Sequence, residues 1–248
     1  MLRFQLLPAG AAAILSVVAF PAFADPVPSA VPALTASSTA AIVRLQVVVN
    51  GKKTDSGNEV AATGKAPPAY NKKTIKSTYA KSTQILGGLT FDRSATNIQS
   101  VATGRANATT GIAAAASATV GSFRGTLDSP IGKLITVTTG KVSSHANFTQ
   151  TKAGVRSVKG STGLLNVKIN APVLGINKTF SGTPKPNQVL YHNGDNSIVI
   201  YLNRQITTKV NNQVAALTVR AVDVQIRNFK LGDNTISGNI TVAPTVAR

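Results

Sequence analysis

The run Leu217-Thr218-Val219-Arg220-Ala221-Val222-Asp223-Val224-Gln225-Ile226 decides the fold. Leu217, Val219 and Ala221 fall on one face of an extended chain. Val222, Val224 and Ile226 continue with the same period of two but on the opposite phase. Alternation of this kind is the signature of a strand with one buried face. A slip of one residue reverses every side chain, so the run predicts a β-bulge near Ala221-Val222 or a strand that changes sheets there. Outward from it the pattern repeats. Leu165, Val167 and Ile169 alternate with Asn166, Lys168 and Asn170, and Ile198, Ile200 and Leu202 form another inward set. Val189-Leu190-Tyr191 is separated from that set by His192-Asn193-Gly194-Asp195-Asn196, which reads as a hairpin turn. A last strand, Ile236–Ala243, ends at Pro244, and near the other end Ile42–Val49 is rich in β-branched residues and stops at Asn50-Gly51.

From residue 75 onward the chain is a series of short Thr, Ser, Val and Ile segments broken by Gly, Asn and Asp, the spacing of a sandwich or barrel. Gly111–Ala118 invites a helical reading from its alanines. Its Thr-rich flanks argue instead for a small-residue strand where two sheets approach closely. The expected fold class is all-β, a β-sandwich of two mainly antiparallel sheets. An outer-membrane barrel is disfavoured, because aromatic girdles cannot be built from 5% aromatic residues.

Residues 1–24 read as a secretory signal peptide: Arg3, an apolar run over Ala11–Phe20, and Ala22-Phe23-Ala24 ahead of Asp25. The apolar run is too short to span a bilayer, and no later segment is long enough for a membrane helix. Residues 25–40, with Pro26, Pro28 and Pro32, read as an extended linker. Residues 41–248 form a single β-rich domain. Within it, 50–74 reads as a long, mobile, basic loop around Pro67-Pro68, a place where function concentrates. The expected location is secreted, periplasmic or cell-surface.

The chain carries 26 Lys plus Arg against eight Asp plus Glu, for a formal charge of +18, and has no cysteine. No disulfide can staple an exported fold of this composition, so its core must hold it. The basic excess favours anionic partners: lipopolysaccharide, teichoic acid or another anionic envelope polymer. Specific nucleic-acid binding is disfavoured by the lack of Trp and the scarcity of stacking aromatics. Lys52, Lys53, Lys65, Lys72 and Lys73 of the loop, with Lys76 and Lys81 just beyond it, are the candidate anion-binding residues.

Candidates for other chemistry are thin. Zinc needs clustered Cys, His or carboxylate ligands, and His145 and His192 stand far apart. Asp195-Asn196 and Asp233-Asn234 offer too few oxygens for calcium and read as turns. Glu59, Asp92, Asp128, Asp195, Asp223 and Asp233 are the acids weighed for general acid–base work, and the sequence pairs none of them as a glycosidase requires. Neither histidine accompanies a G-x-S-x-G nucleophile elbow. Lys159-Gly160-Ser161-Thr162-Gly163 has the wrong order for a phosphate loop and reads as a Gly/Ser turn before a strand. No catalytic residue, cofactor or metal is expected.

The second half resembles the choice-of-anchor P family of exported bacterial proteins. The likeness, over roughly residues 130–245, rests on a Gly-x-Leu-x-Val-like strand at Gly163–Ile169 and on Gly182-Thr183-Pro184-Lys185-Pro186-Asn187. Leu202-Asn203-Arg204-Gln205 and the Leu-Thr-Val-x-Ala-Val-x-Val strand at Leu217–Val224 complete it. The resemblance implies an exported, strand-rich protein and carries over no catalytic residues. The family's C-terminal anchoring signal has no counterpart after Val242. The expected function is therefore an exported, non-catalytic β-domain, envelope-associated or secreted, acting as a structural or adhesion-type module with a basic surface. The alternatives are a secreted hydrolase of envelope polysaccharide and a self-associating β-sheet assembly protein.

Overall fold

A computed structural model describes residues 35–248. In chain order its strands are β1 (Ala36–Ala40), β2 (Val43–Val49), β3 (Lys52–Asp55), β4 (Ala62–Ala66), β5 (Tyr70–Ile85), β6 (Leu89–Asn107), β7 (Gly111–Val120) and β8 (Ser122–Ser129). There follow β9 (Gly132–Thr139), β10 (Val142–Gln150), β11 (Arg156–Ala171), β12 (Ile176–Gly182), β13 (Gln188–His192), β14 (Ile198–Val210), β15 (Gln213–Leu231) and β16 (Asn234–Ala247). They form two eight-stranded sheets, antiparallel at every pairing, stacked as the expected β-sandwich.

Several strands are collinear halves of longer rows. β7 and β8 lie end to end along β6, and β10 and β9 lie end to end along them in turn. That sheet is thus a meander of six rows: β5, β6, β7/β8, β9/β10, β11 and β12. In the other, β1/β2 pairs along the whole of β16, with β3/β4 outside it, and β15, β14 and β13 follow on the far side. Within each sheet successive rows pair by hairpins, the first long row closes on the last, and the chain crosses from one sheet to the other after β4 and back after β12.

One feature recurs in every long row. The inward phase of β15 is Leu217, Val219, Ala221, then Val222, Val224 and Ile226, all buried. β14 changes phase at Asn203, β16 at Ala243 and β1/β2 at Ala41-Ile42, and the pairing register runs through unbroken. No residue is inserted. The reversal at Ala221-Val222 is therefore neither a single-strand bulge nor a change of sheet, but one point on a line that crosses the whole sheet. The second sheet carries the same line through Ser77, Asn97, Gly121, Lys141 and Leu165-Asn166. Asn97, Asn166 and Asn203 take φ of 50°, 52° and 50° there, a left-handed geometry that asparagine tolerates better than most side chains. Ala243 takes φ 48° at the same line without that advantage.

The line divides the core. One half holds the large apolar side chains, among them Leu45, Phe91, Ile169, Ile200 and Leu202, all fully buried. The other holds Ala36, Ala66, Ala114, Ala146, Leu217 and Val219, with Ile112 and Phe148. Gly111–Val120 is indeed a strand, with Ala114, Ala116 and Ala118 facing inward. The sheets come so close there that a Cβ on Gly160 would sit 2.6 Å from Val219 Cγ2 and 3.0 Å from Leu217 Cδ2. Hydroxyls and an amide bridge the gap. Ser144 Oγ donates to the Ala243 carbonyl at 2.6 Å, Ser100 Oγ to Val60 O at 2.8 Å, Ser38 Oγ to Thr103 O at 3.0 Å, and Gln205 Nε2 to Gly160 O at 3.1 Å.

Several expectations need correction. The linker read over 25–40 includes β1, whose Ala36, Ser38 and Ala40 are small enough to enter the narrow half of the core; its earlier part and the signal peptide lie outside the described residues. The loop read over 50–74 contains β3, β4 and the start of β5, whose polar alternation hides strands that bury little. The short segments expected after residue 75 are rows of up to 19 residues, because Asn and Gly at the reversal line mimic turns. Leu165 is 49% exposed while Leu164 is buried, since the phase changes just after it. β16 runs through Pro244 to Ala247: the proline sits at the irregular line, where a missing N–H is tolerated, and its carbonyl still accepts from Ala41 N at 3.0 Å. Lys159–Gly163 lies within β11 rather than in a turn.

Candidate functional site: the lysine edge

β3/β4 is the outermost row of one sheet and β5 of the other, and the two lie on the same side of the sandwich. Tyr70, at the head of β5, fixes their relation. Its ring fills the space that a side chain at Gly64 or Gly104 would need, and its hydroxyl lies 2.9 Å from Ser38 Oγ. Thr74 Oγ1 donates to Ala61 O at 2.9 Å a little further along. The residues scattered over 52–81 are therefore strung along one edge of the sandwich. Lys52 and Lys53 come from β3, Lys65 from β4, and Lys72, Lys73, Lys76 and Lys81 from β5, and all seven are exposed.

β5 is long for an edge strand, 16 residues or about 50 Å at the usual rise. Lys72, Lys76 and Lys81 stand opposite Ala102, Ile98 and Arg93 of β6, all buried, so these three share the inward face of the sheet; Lys73 belongs to the outward face. Lys76 Nζ lies 6.0 Å from the Tyr79 ring centroid, within cation–π range. Lysines on an exposed edge also discourage pairing with another chain, and the inward-facing ones do so most effectively.

Two acids sit at this edge, and both are spoken for. Asp55 accepts from Arg44 Nη2 at 2.9 Å and from Gln46 Nε2 at 2.8 Å, with Lys53 Nζ at 3.4 Å. The Arg44 hydrogen bond holds its carboxyl well below the usual carboxylate range. Glu59 is 6% exposed and bonded through both oxygens to Arg93, whose side chain is fully buried on β6. The remaining Arg93 nitrogen donates to Thr83 Oγ1 at 2.7 Å and Phe91 O at 2.9 Å. Lys81 Nζ approaches Glu59 at 3.4 Å. Burial is the largest single influence on Glu59 and opposes its charge. The Arg93 hydrogen bonds, the Tyr79 hydroxyl and the two cations outweigh it, so the carboxyl lies below its ordinary value. Burial, then Glu59 beside it, pushes the Tyr79 hydroxyl up to about 12. This clasp ties the segment between β3 and β4 to the opposite sheet. Arg93 occupies an inward position between Phe91 and Ala95, and a charge in an apolar alternation was the one sequence signal that a buried partner exists.

The other acids weighed for chemistry are dispersed. Asp223 is fully buried on the far face of its sheet, 3.1 Å from Arg220 Nη1 and 3.3 Å from Arg204 Nη1; Gln225 Nε2 donates to it at 3.2 Å. Asp195 accepts from Ser197 N at 3.0 Å, and that bond lowers its pKa in the expected turn after β13. Asp233 lies in the turn between β15 and β16, and Asp92 and Asp128 lie on β6 and β8. His192 ends β13 and His145 stands on the outer face of β10. Among the described residues no three of His, Asp and Glu come together as metal ligands would. Comparison of the chain with protein-family models and with characterised proteins finds no match.

Proposed function

We propose that this chain is an exported, non-catalytic β-sandwich module, envelope-associated or secreted, that docks on anionic polymers through its lysine edge. The observation that carries the reading is the alignment of seven lysines from three strands along one edge whose acids are already held by arginines. Lysines at this spacing give a positive field along the full length of β5, which suits an extended polyanion rather than a small substrate. The commitment of Glu59, Asp55 and Asp223 to arginine partners speaks against a hydrolase built on them. A relation to the choice-of-anchor P family would imply the same kind of exported module.

The test is retention on a heparin column. Replacing Lys52, Lys53, Lys65, Lys72, Lys73, Lys76 and Lys81 by Gln should move elution to much lower salt. Unchanged retention would contradict the reading.

A further inference from the structure

The outer faces of the two sheets are chemically unlike. On the sheet that contains β15, polar side chains are consumed by one another: Arg44 with Asp55, Arg220 with Asp223, Gln225 with both Asp223 and Arg227. On the half of the other sheet that lies below the reversal line, they are not. There a shallow groove of about 660 Å³ crosses the strands. Its axis is a single register row, Asn71–Thr103–Ala115–Asn147–Lys159, taken from β5, β6, β7, β10 and β11. The adjacent row adds Arg105, Ala113, Thr149 and Ser157.

Among these side chains only Thr149 and Ser157 bond each other, at 2.7 Å; Asn71, Thr103, Arg105, Asn147 and Lys159 have no side-chain partner among the described residues. The floor is Ala113 and Ala115, low enough for a chain to lie against the sheet. The segments that build this half, 70–77, 97–121 and 141–164, contain no Asp or Glu at all. One end of the row lies on β5 itself, so the groove is continuous with the lysine edge.

We infer that this groove binds a linear polysaccharide bearing carboxylates, laid across the strands from β5 toward Lys159. The row spans four strand spacings, about 19 Å, which is the reach of an oligosaccharide and not of a lone ion. Arg105 and Lys159 meet its carboxylates, Arg105 with a fork suited to bidentate pairing. The free amides and hydroxyls between them meet sugar hydroxyls. Widely spaced cations with neutral donors between match a ligand whose own charges are spaced by hydroxyl-bearing rings, whereas a densely charged phosphate or sulfate polymer would bring more charges than Arg105 and Lys159 can pair. The inference rests on the reading that the basic charge serves polymer binding, but places a distinct contact on the sheet face.

The test uses the secreted protein and oligogalacturonate, followed by calorimetry and by backbone amide shifts. The native protein should bind, with shifts centred on Thr103, Ala115 and Asn147. The neutral methyl ester should not bind. R105Q/K159Q should weaken affinity at least tenfold, and A115Y, an outward substitution that fills the groove, should abolish it without altering the melting temperature. K52Q/K53Q/K65Q should lose heparin retention while the oligogalacturonate-induced shifts stay centred on Thr103, Ala115 and Asn147. Absence of binding, binding unaffected by R105Q/K159Q and A115Y, or tighter binding of heparin, phosphate polymer or DNA in the groove would overturn the inference. Loss only in the edge variant would overturn it while leaving the edge reading intact.

Discussion

Arg93 and Glu59 illustrate how much can hang on one pair. Removing one partner of a buried ion pair strands the other charge in the core, which costs about 3–5 kcal/mol. Glu59→Gln should therefore lower stability by that order in urea denaturation, and Arg93→Met similarly. Replacing both with apolar residues should recover much of the loss. The sign of the pH dependence follows from the lowered carboxyl. Because the folded pKa of Glu59 lies below its unfolded value, its contribution is complete at pH values above the ordinary 4.5 and declines as pH falls through the folded value. Urea midpoints measured from pH 7 down to 3 should fall for the native chain and flatten in Glu59→Gln. The Tyr79 phenol offers a direct reporter. Its absorbance titration should centre near pH 12 rather than 10, and should shift back toward 10 in Glu59→Gln.

At the scale of the element, the phase-reversal line governs what the rows can hold. Asn203 sits on it, buried, with Nδ2 donating to Pro184 O at 3.0 Å and Oδ1 accepting from Gln205 Nε2 at 3.0 Å. Asn203→Ala removes both bonds and keeps the left-handed backbone, so a loss of about 2–3 kcal/mol is expected. Gly160→Val should also destabilise, by about 1–3 kcal/mol, because the sheets leave no room beside Val219. Equilibrium denaturation checks both. The same line explains what the sequence made legible. The phase slip in Leu217–Ile226 announced it, since both halves of that strand are apolar. Elsewhere the irregular residue was Asn97, Gly121 or Asn166, which in isolation is indistinguishable from a turn. Long rows therefore read as short ones. The β3/β4 and β5 rows were missed for another reason: an edge strand exposed on both sides has no apolar alternation to detect. Hairpins at Asn50-Gly51 and Asn193–Asn196 were legible because their left-handed positions demand the residues found there.

Across the whole molecule, charge is sorted rather than spread. One edge is lysine, the adjoining half-face has cations and no acid, and on the opposite outer face Arg44, Arg204 and Arg220 are paired with Asp55 and Asp223. Local density along the chain picked out the candidate lysines, but their meeting on one edge from two sheets was invisible there, because it depends on β4 and β5 folding around Tyr70. The lysines also guard an edge of about 50 Å from pairing. Replacing Lys72, Lys76 and Lys81 by Val should therefore increase concentration-dependent association in sedimentation velocity relative to the native chain. The proposed function requires that placement, not net charge, decide binding. The decisive measurement is a titration of lipopolysaccharide with two variants of equal charge. In one, Lys52, Lys53, Lys65, Lys72, Lys73, Lys76 and Lys81 become Gln; in the other, Lys133, Lys152, Lys168, Lys178, Lys185, Lys209 and Lys230 do. Binding should collapse in the first and persist in the second, whereas equal losses in both would reduce the edge to its share of the overall charge and contradict the proposed function.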